Sequence, residues 1–165
     1  MQRQDFEQLY LPQWQRMYAL ALRMLASAED ASDAVQDAFE RLLDSTDRLD
    51  DIASPTAYCL TMIRRICIDR LRRESVRHTV DLDTAVADES LRHPPDELSG
   101  QETEHIIRRA IESLPPGQSL VMRLKVYGDL DNTAIAEETG FSNETVRQQL
   151  SRARKKLKEL LLRRR

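Results

Sequence analysis

Apolar residues recur along this chain at intervals of three and four, the spacing that lines one face of an α-helix. Phe6, Tyr10, Trp14, Met17, Ala21 and Met24 or Leu25 form the first stripe and predict a helix from about Asp5 to Ala26. Pro12 interrupts it, either as a kink or as the end of a short first turn. After a brief turn at ASAED, a second helix is expected from about Ala31 to Leu43. Its inner face is Ala34, Val35, Ala38, Phe39, Leu42 and Leu43, and Asp33, Gln36, Asp37, Glu40 and Arg41 point outward. Residues 45–54 read as a polar loop, and Ser54-Pro55 marks a helix start because proline tolerates the first helical position. The third long helix runs to about Arg77, packed through Tyr58, Met62, Ile63, Ile66, Cys67 and Leu71.

From about Thr79 to Ser99 the periodicity fails, and an acidic segment containing Pro94-Pro95 reads as a linker. The chain therefore divides into a domain over residues 1–78, a linker over 79–101 and a second domain over 102–165. The second domain is a four-helix module, beginning with Glu102 to Leu114 and Pro116 to Tyr127. Ile106, Ile107, Ala110, Ile111 and Leu114 pack the first of these helices, and Leu120, Val121, Leu124 and Val126 the second. The remaining stretch reads as a helix-turn-helix. A short helix, Thr133 to Thr139, ends at Gly140, which can close it in the left-handed conformation. Phe141 supplies an apolar plug and Ser142 caps the next helix.

In that last helix Val146, Leu150, Ala153, Leu157 and Leu160 share one face. The other carries Asn143, Glu144, Arg147, Gln148, Ser151, Arg152 and Lys155. Amides and guanidinium groups suit base edges, and the later cations suit phosphates, so this face fits a DNA groove better than plain solvent.

Low aromatic content, high charge and few glycines fit an all-α protein. The net charge of −3 conceals a segregation. Residues 1–53 hold eleven acids against five bases, and residues 54–78 hold two acids against six arginines. Residues 79–104 hold eight acids against Arg92, and residues 142–165 hold nine bases against Glu144 and Glu159. Two basic islands separated by an acidic belt imply two nucleic-acid contacts on one chain. No apolar run reaches a membrane span and MQRQDFEQ has no signal-peptide pattern, so a cytoplasmic protein is expected. Cys59 and Cys67 lie eight apart on one expected helix, about 12 Å, too far for a disulfide, and read as small core residues. With His78, His93 and His105 scattered, no metal site or cofactor is expected. The chain also lacks a phosphate-cradling glycine loop or a nucleophile–histidine arrangement, so it does not read as an enzyme.

Three motifs in order resemble a bacterial sigma factor of the extracytoplasmic-function (ECF) type. Asp30-Ala31-Ser32-Asp33-Ala34-Val35-Gln36-Asp37-Ala38-Phe39 resembles the family's polymerase-binding helix, and Pro55 through Arg73 its promoter-melting helix. Ile111-Glu112-Ser113-Leu114-Pro115, Ile135-Ala136-Glu137, Thr145-Val146-Arg147 and Leu150 through Leu157 resemble its helix-turn-helix region. The chain departs from the family pattern at Ser32 (usually glutamate), Tyr58 (tryptophan), Arg65 (often asparagine) and Ala134 (an acid).

The resemblance implies two small helical domains, a promoter-melting bundle and a helix-turn-helix domain, joined by an acidic linker. It implies core RNA polymerase and promoter DNA as partners, and it allows an anti-sigma factor. Asp33, Gln36, Asp37, Glu40 and Arg41 would bind core polymerase, and Arg64, Arg65, Arg72 and Arg73 would hold the −10 DNA. Asn143, Glu144, Arg147, Gln148 and Ser151 would read the −35 element, with Arg152 and Lys155 along its phosphates. Arg163-Arg164-Arg165 reads as a solvated tail. The competing reading is a helix-turn-helix regulator that binds an operator as a dimer.

Overall fold

A computed structural model describes residues 1–77 and 100–163. The expected linker, up to residue 99 and with Pro94-Pro95, and the terminal Arg164 and Arg165 lie outside the described residues. All regular structure among the described residues is helical, as the periodicity predicts. The chain forms two compact units, Met1–Leu71 and Arg72–Arg165.

In the first unit Pro12 splits the expected first helix. Helix α1 spans Arg3–Leu9, one 3-10 turn covers Leu11–Gln13, and α2 spans Trp14–Leu25. Phe6 and Tyr10 are buried, their rings stacked at 5.5 Å. A 3-10 turn winds more tightly than an α-helix, so it shifts the phase of the stripe. Met17, Ala21, Met24 and Leu25 remain buried, whereas Trp14, expected in the core, is 48% exposed.

Ala26 closes α2 at φ 59°, and Ser27 caps α3 (Ala28–Asp44) by accepting the Asp30 N–H at 3.2 Å. Helix α3 buries Ala31, Ala34, Val35, Ala38 and Leu42. Its small alanines let α2 and α3, which pack together, approach closely. Leu43, also expected inside, is 57% exposed, because neighbouring helical positions differ by about 100° and Leu42 takes the inner one.

The polar loop contains a 3-10 turn at Thr46–Asp51, anchored by buried Leu49. The Ser54 hydroxyl then accepts the Ala57 N–H at 3.2 Å, and α4 runs Pro55–Arg77 from the predicted start. Cys59, Ile63, Ile66, Cys67, Ile68 and Leu71 are its buried residues.

The second unit contains α5 (Gly100–Glu112), α6 (Pro116–Val126), α7 (Asn132–Thr139) and α8 (Asn143–Leu162). Helix α8 packs against α5, α6 and α7. Ile111, Leu114, Leu120, Val121, Met122, Leu124 and Ile135 meet its apolar stripe in one core. Val126, expected to pack, is 50% exposed, since it stands about 200° around the helix from Leu124. Between α6 and α7, the Tyr127 and Gly128 N–H groups both donate to the Arg123 carbonyl at 3.0 Å, and Leu130 N–H donates to Leu124 at 3.2 Å. Among the described residues, no helix is long and apolar enough to cross a membrane.

The two turn glycines should respond differently to alanine. A Cβ at Gly128 would stand 2.6 Å from the Leu124 carbonyl oxygen, a backbone atom that cannot swing aside. At Gly140 the space is open, and only its φ of 79° opposes a side chain. Gly128→Ala is expected to cost about 2 kcal/mol or more and Gly140→Ala about 1 kcal/mol. Urea denaturation followed by circular dichroism measures both, and the reverse order would refute the assignment.

Candidate nucleic-acid interface

The helix-turn-helix is set by side-chain bonds at each end of its short helix. Asp131 caps α7 by accepting the Ala134 N–H at 2.8 Å, and Lys125 Nζ donates to Asn132 Oδ1 at 3.2 Å, tying α6 to α7. At the far end Gly140 takes the left-handed conformation foreseen for it, its N–H donating to the Ala136 carbonyl at 2.9 Å. The buried Thr139 hydroxyl donates to the Ile135 carbonyl at 2.7 Å and accepts the Phe141 N–H at 3.2 Å. Ser142 then caps α8, accepting the Thr145 N–H at 3.1 Å and donating its own proton to Thr145 Oγ1 at 2.9 Å.

On α8 the stripe Val146, Leu150, Ala153 and Leu157 is buried, and Leu160 is half-buried. Asn143, Glu144, Arg147, Gln148, Ser151, Arg152 and Lys155 are all exposed and share the opposite side. Donors, acceptors and cations thus stand together on the exposed side of a helix whose N-terminus is capped. Gln149, outside the expected stripe, is 4% exposed, and its Oε1 has no hydrogen-bond partner among the described residues. Its place between Gln148 and Leu150 gave no sign that the buried arc of α8 extends to it.

The arginines of α4 are less of a unit. Arg64 is half-buried, whereas Arg65, Arg72 and Arg73 are exposed. At about 100° per residue, Arg65 and Arg72 fall on one side of the helix while Arg64 and Arg73 stand about half a turn apart. Arg65 pairs with Asp69 at 2.8 Å, and Arg72, the first residue of the second unit, pairs with Glu138. Burial pushes the Cys59 thiol up to about 11 and the Cys67 thiol up to about 12. Both therefore stay protonated and inert at neutral pH, as small core residues should.

Asp33, Gln36, Asp37, Glu40 and Arg41 occupy one arc of α3, with Arg41 3.4 Å from Asp37. Beside that arc lies an open groove of about 330 Å³, walled by Leu11, Trp14 and Tyr18 on one flank and Ser32, Val35, Gln36 and Phe39 of α3 on the other. Trp14 and Tyr18 meet edge to face at 5.8 Å. Sequence reading placed Trp14 and Phe39 in the core. The signal it had was Pro12, whose break in the helix turns Trp14 outward.

The first unit presents a polar arc on α3 beside an open apolar groove, and the second a capped helix with an exposed polar face. Residues 10–77 match Sigma-70 region 2 and residues 104–157 match Sigma-70, region 4. The chain belongs to the sigma-70 family. Within that family, the relatives it resembles include ECF RNA polymerase sigma factors. It is 30% identical over 146 residues to a probable ECF RNA polymerase sigma factor, SigI, of Mycobacterium tuberculosis, a match covering 85% of this chain and 50% of SigI. The chain thus spans about half the length of that relative. It is 28% identical over 162 residues to the ECF sigma factor SigM of the same species, covering 96% of this chain and 78% of SigM. The sigma factor RpoE of Bartonella quintana, solved in complex with the anti-sigma factor NepR, matches at 23% identity and a TM-score of 0.49, over 96% of this chain and 97% of that one.

Thr139 offers a test of how the turn is held. Thr139→Val keeps shape and burial but removes both hydrogen bonds, and is expected to lower unfolding free energy by about 1–2 kcal/mol. Thr139→Ser keeps the hydroxyl and should lose less. A larger loss in urea titrations for Thr139→Ser than for Thr139→Val would show that the methyl group, not the hydroxyl, holds the turn.

Proposed function

We propose that this chain is a dissociable initiation subunit that gives core RNA polymerase its promoter choice. The observation that carries this reading is the exposed polar face of α8, held outward by a buried apolar stripe and a capped N-terminus. Asn143, Glu144, Arg147, Gln148 and Ser151 read the −35 element in the major groove, and Arg152 and Lys155 lie along its phosphates. Arg64, Arg65, Arg72 and Arg73 hold the −10 strand as it opens. Opening costs about 1.4 kcal/mol of stacking per base step, and a chain without nucleotide chemistry offsets it by capturing the displaced strand. The ion pairs at Arg65 and Arg72 are exchanged for phosphate in that step.

Core polymerase docks on the α3 arc of Asp33, Gln36, Asp37, Glu40 and Arg41, and the neighbouring groove with Trp14 adds an apolar anchor. Large apolar side chains left open beside a charged rim are the usual composition of an interface centre. An anti-sigma factor would act by covering one of these faces. The rival reading, an operator-binding regulator, requires specific DNA binding by a dimer of the chain without polymerase.

Run-off transcription from a pool of promoters, with core polymerase and with or without the chain, tests the reading. Specific transcripts are expected only when the chain is present. No transcript and no complex with core would sink the proposal. Trp14→Ala should weaken core binding about tenfold or more, with little loss of fold stability because the indole is half-exposed. Arg152→Ala and Lys155→Ala should each flatten the salt dependence of promoter binding by about one unit of slope. An unchanged slope would remove that residue from the phosphate contacts.

A further inference from the structure

Glu144 is out of keeping with the helix that carries it. Between Asn143 and Leu162 the bases are Arg147, Arg152, Arg154, Lys155, Lys156 and Lys158, and the only other acid is Glu159, near the far end. At about 100° per residue, Glu144, Gln148, Ser151 and Lys155 run down the middle of the exposed side, opposite buried Ala153 and Val146. Glu144 is the first of that row, in the opening turn, and recognition helices contact base edges with their N-terminal residues. Arg147 stands three positions on, a spacing that permits an ion pair, yet among the described residues neither side chain is in one. The carboxylate is left unneutralised at the point of closest approach to a polyanion.

We infer that Glu144 is a specificity-determining residue that demands cytosine at one position of the −35 element. The inference rests on the reading of α8 as the helix that enters that element. A carboxylate accepts hydrogen bonds and donates none, so in the major groove it can meet only the amino groups of cytosine N4 and adenine N6. Adenine N6 is flanked on both sides by acceptors, its own N7 and thymine O4, which repel the second carboxylate oxygen. Cytosine N4 has an acceptor on one side only, guanine O6, and a C–H on the other. Guanine and thymine present acceptors and are rejected by repulsion. The residue therefore selects mainly by exclusion, and the surrounding cations hold the helix against DNA despite it.

The test uses the full chain with core polymerase and a library of duplex promoters whose upstream element is randomised. Bound DNA is sequenced for the native chain, Glu144→Gln and Arg147→Ala. The native chain should enrich cytosine about tenfold at one column. Glu144→Gln should move that column toward adenine, since an amide can pair with both N6 and N7, and leave the other columns alone. If Arg147→Ala flattens a guanine column while Glu144→Gln changes none, α8 remains the reader and Glu144 serves only as the acidic first-turn charge that helices favour. A uniform drop in binding with no change of base preference has the same meaning and overturns the inference. If the native chain enriches no column, or neither substitution alters one, the reading of α8 falls and takes this inference with it.

Discussion

The one constraint on which the placement of the last helix depends is that α8 has only one face to bury. Val146, Leu150 and Ala153 are at most 1% exposed and Leu157 9%, packed against α5, α6 and α7. Burying a valine or leucine side chain contributes about 1.5–3 kcal/mol, so three of them outweigh any single cap, worth about 1 kcal/mol. Burial therefore sets the rotation of α8 about its own axis. A slip of one residue would turn the stripe by about 100° and carry charged side chains toward the core. The caps settle a different matter, namely where the helix begins. Ser142 and the Thr139 hydroxyl fix the entry of the chain, so the first exposed turn is always Asn143, Glu144 and Arg147.

The first unit solves a different problem with the same physics. Alanines on α3 let α2 come close, but close approach leaves too little depth to cover every large side chain. Trp14 and Leu11 stay open, and Phe39 lines a groove in place of a core. An apolar surface kept in water weakens the isolated fold relative to one that buried it, which is tolerable when a partner completes the burial. The acids beside it on α3 would attract a basic partner from a distance and then orient it, and the tryptophan would supply short-range affinity.

Much of this was legible from residue spacing because helix starts, stops and inner faces are local. Ser54-Pro55, Gly140 and Ser142 act through atoms within four residues, so pattern alone located them. The outward side of α8 was legible for the same reason, being the complement of a regular stripe. What pattern missed was phase and depth. The expected break at Pro12 does not by itself say how far the stripe rotates, and the 3-10 turn there takes Trp14 out of the inner face. Leu43 and Val126 were placed in the core for being apolar, although a neighbour already held the inner position. Gln149 lies in the buried arc although a stripe of apolar positions does not include it. How closely two helices approach and how wide a buried arc becomes depend on packing between distant segments, which spacing along one helix does not encode.

Charge placement connects the two faces. A chain of net charge −3 has little general attraction for DNA, because release of counterions by a few cations competes with repulsion from the rest. Some of its cations are engaged internally, Arg41 with Asp37, Arg65 with Asp69 and Arg108 with Glu112 at 2.9 Å. Non-specific binding by such a chain is expected to be weak, and on the proposed reading its discrimination would be a difference between a few good contacts and a poor background. Weak background binding raises the value of each base-reading contact, because every sequence that fails to match loses the small affinity it would otherwise have had. A carboxylate in the first turn of α8 would act in the same direction. Affinity must then come from elsewhere, and the face on α3 is where a larger assembly would supply it. On the proposed reading, the acidic balance and the exposed groove fit a protein that would bind DNA well only in company.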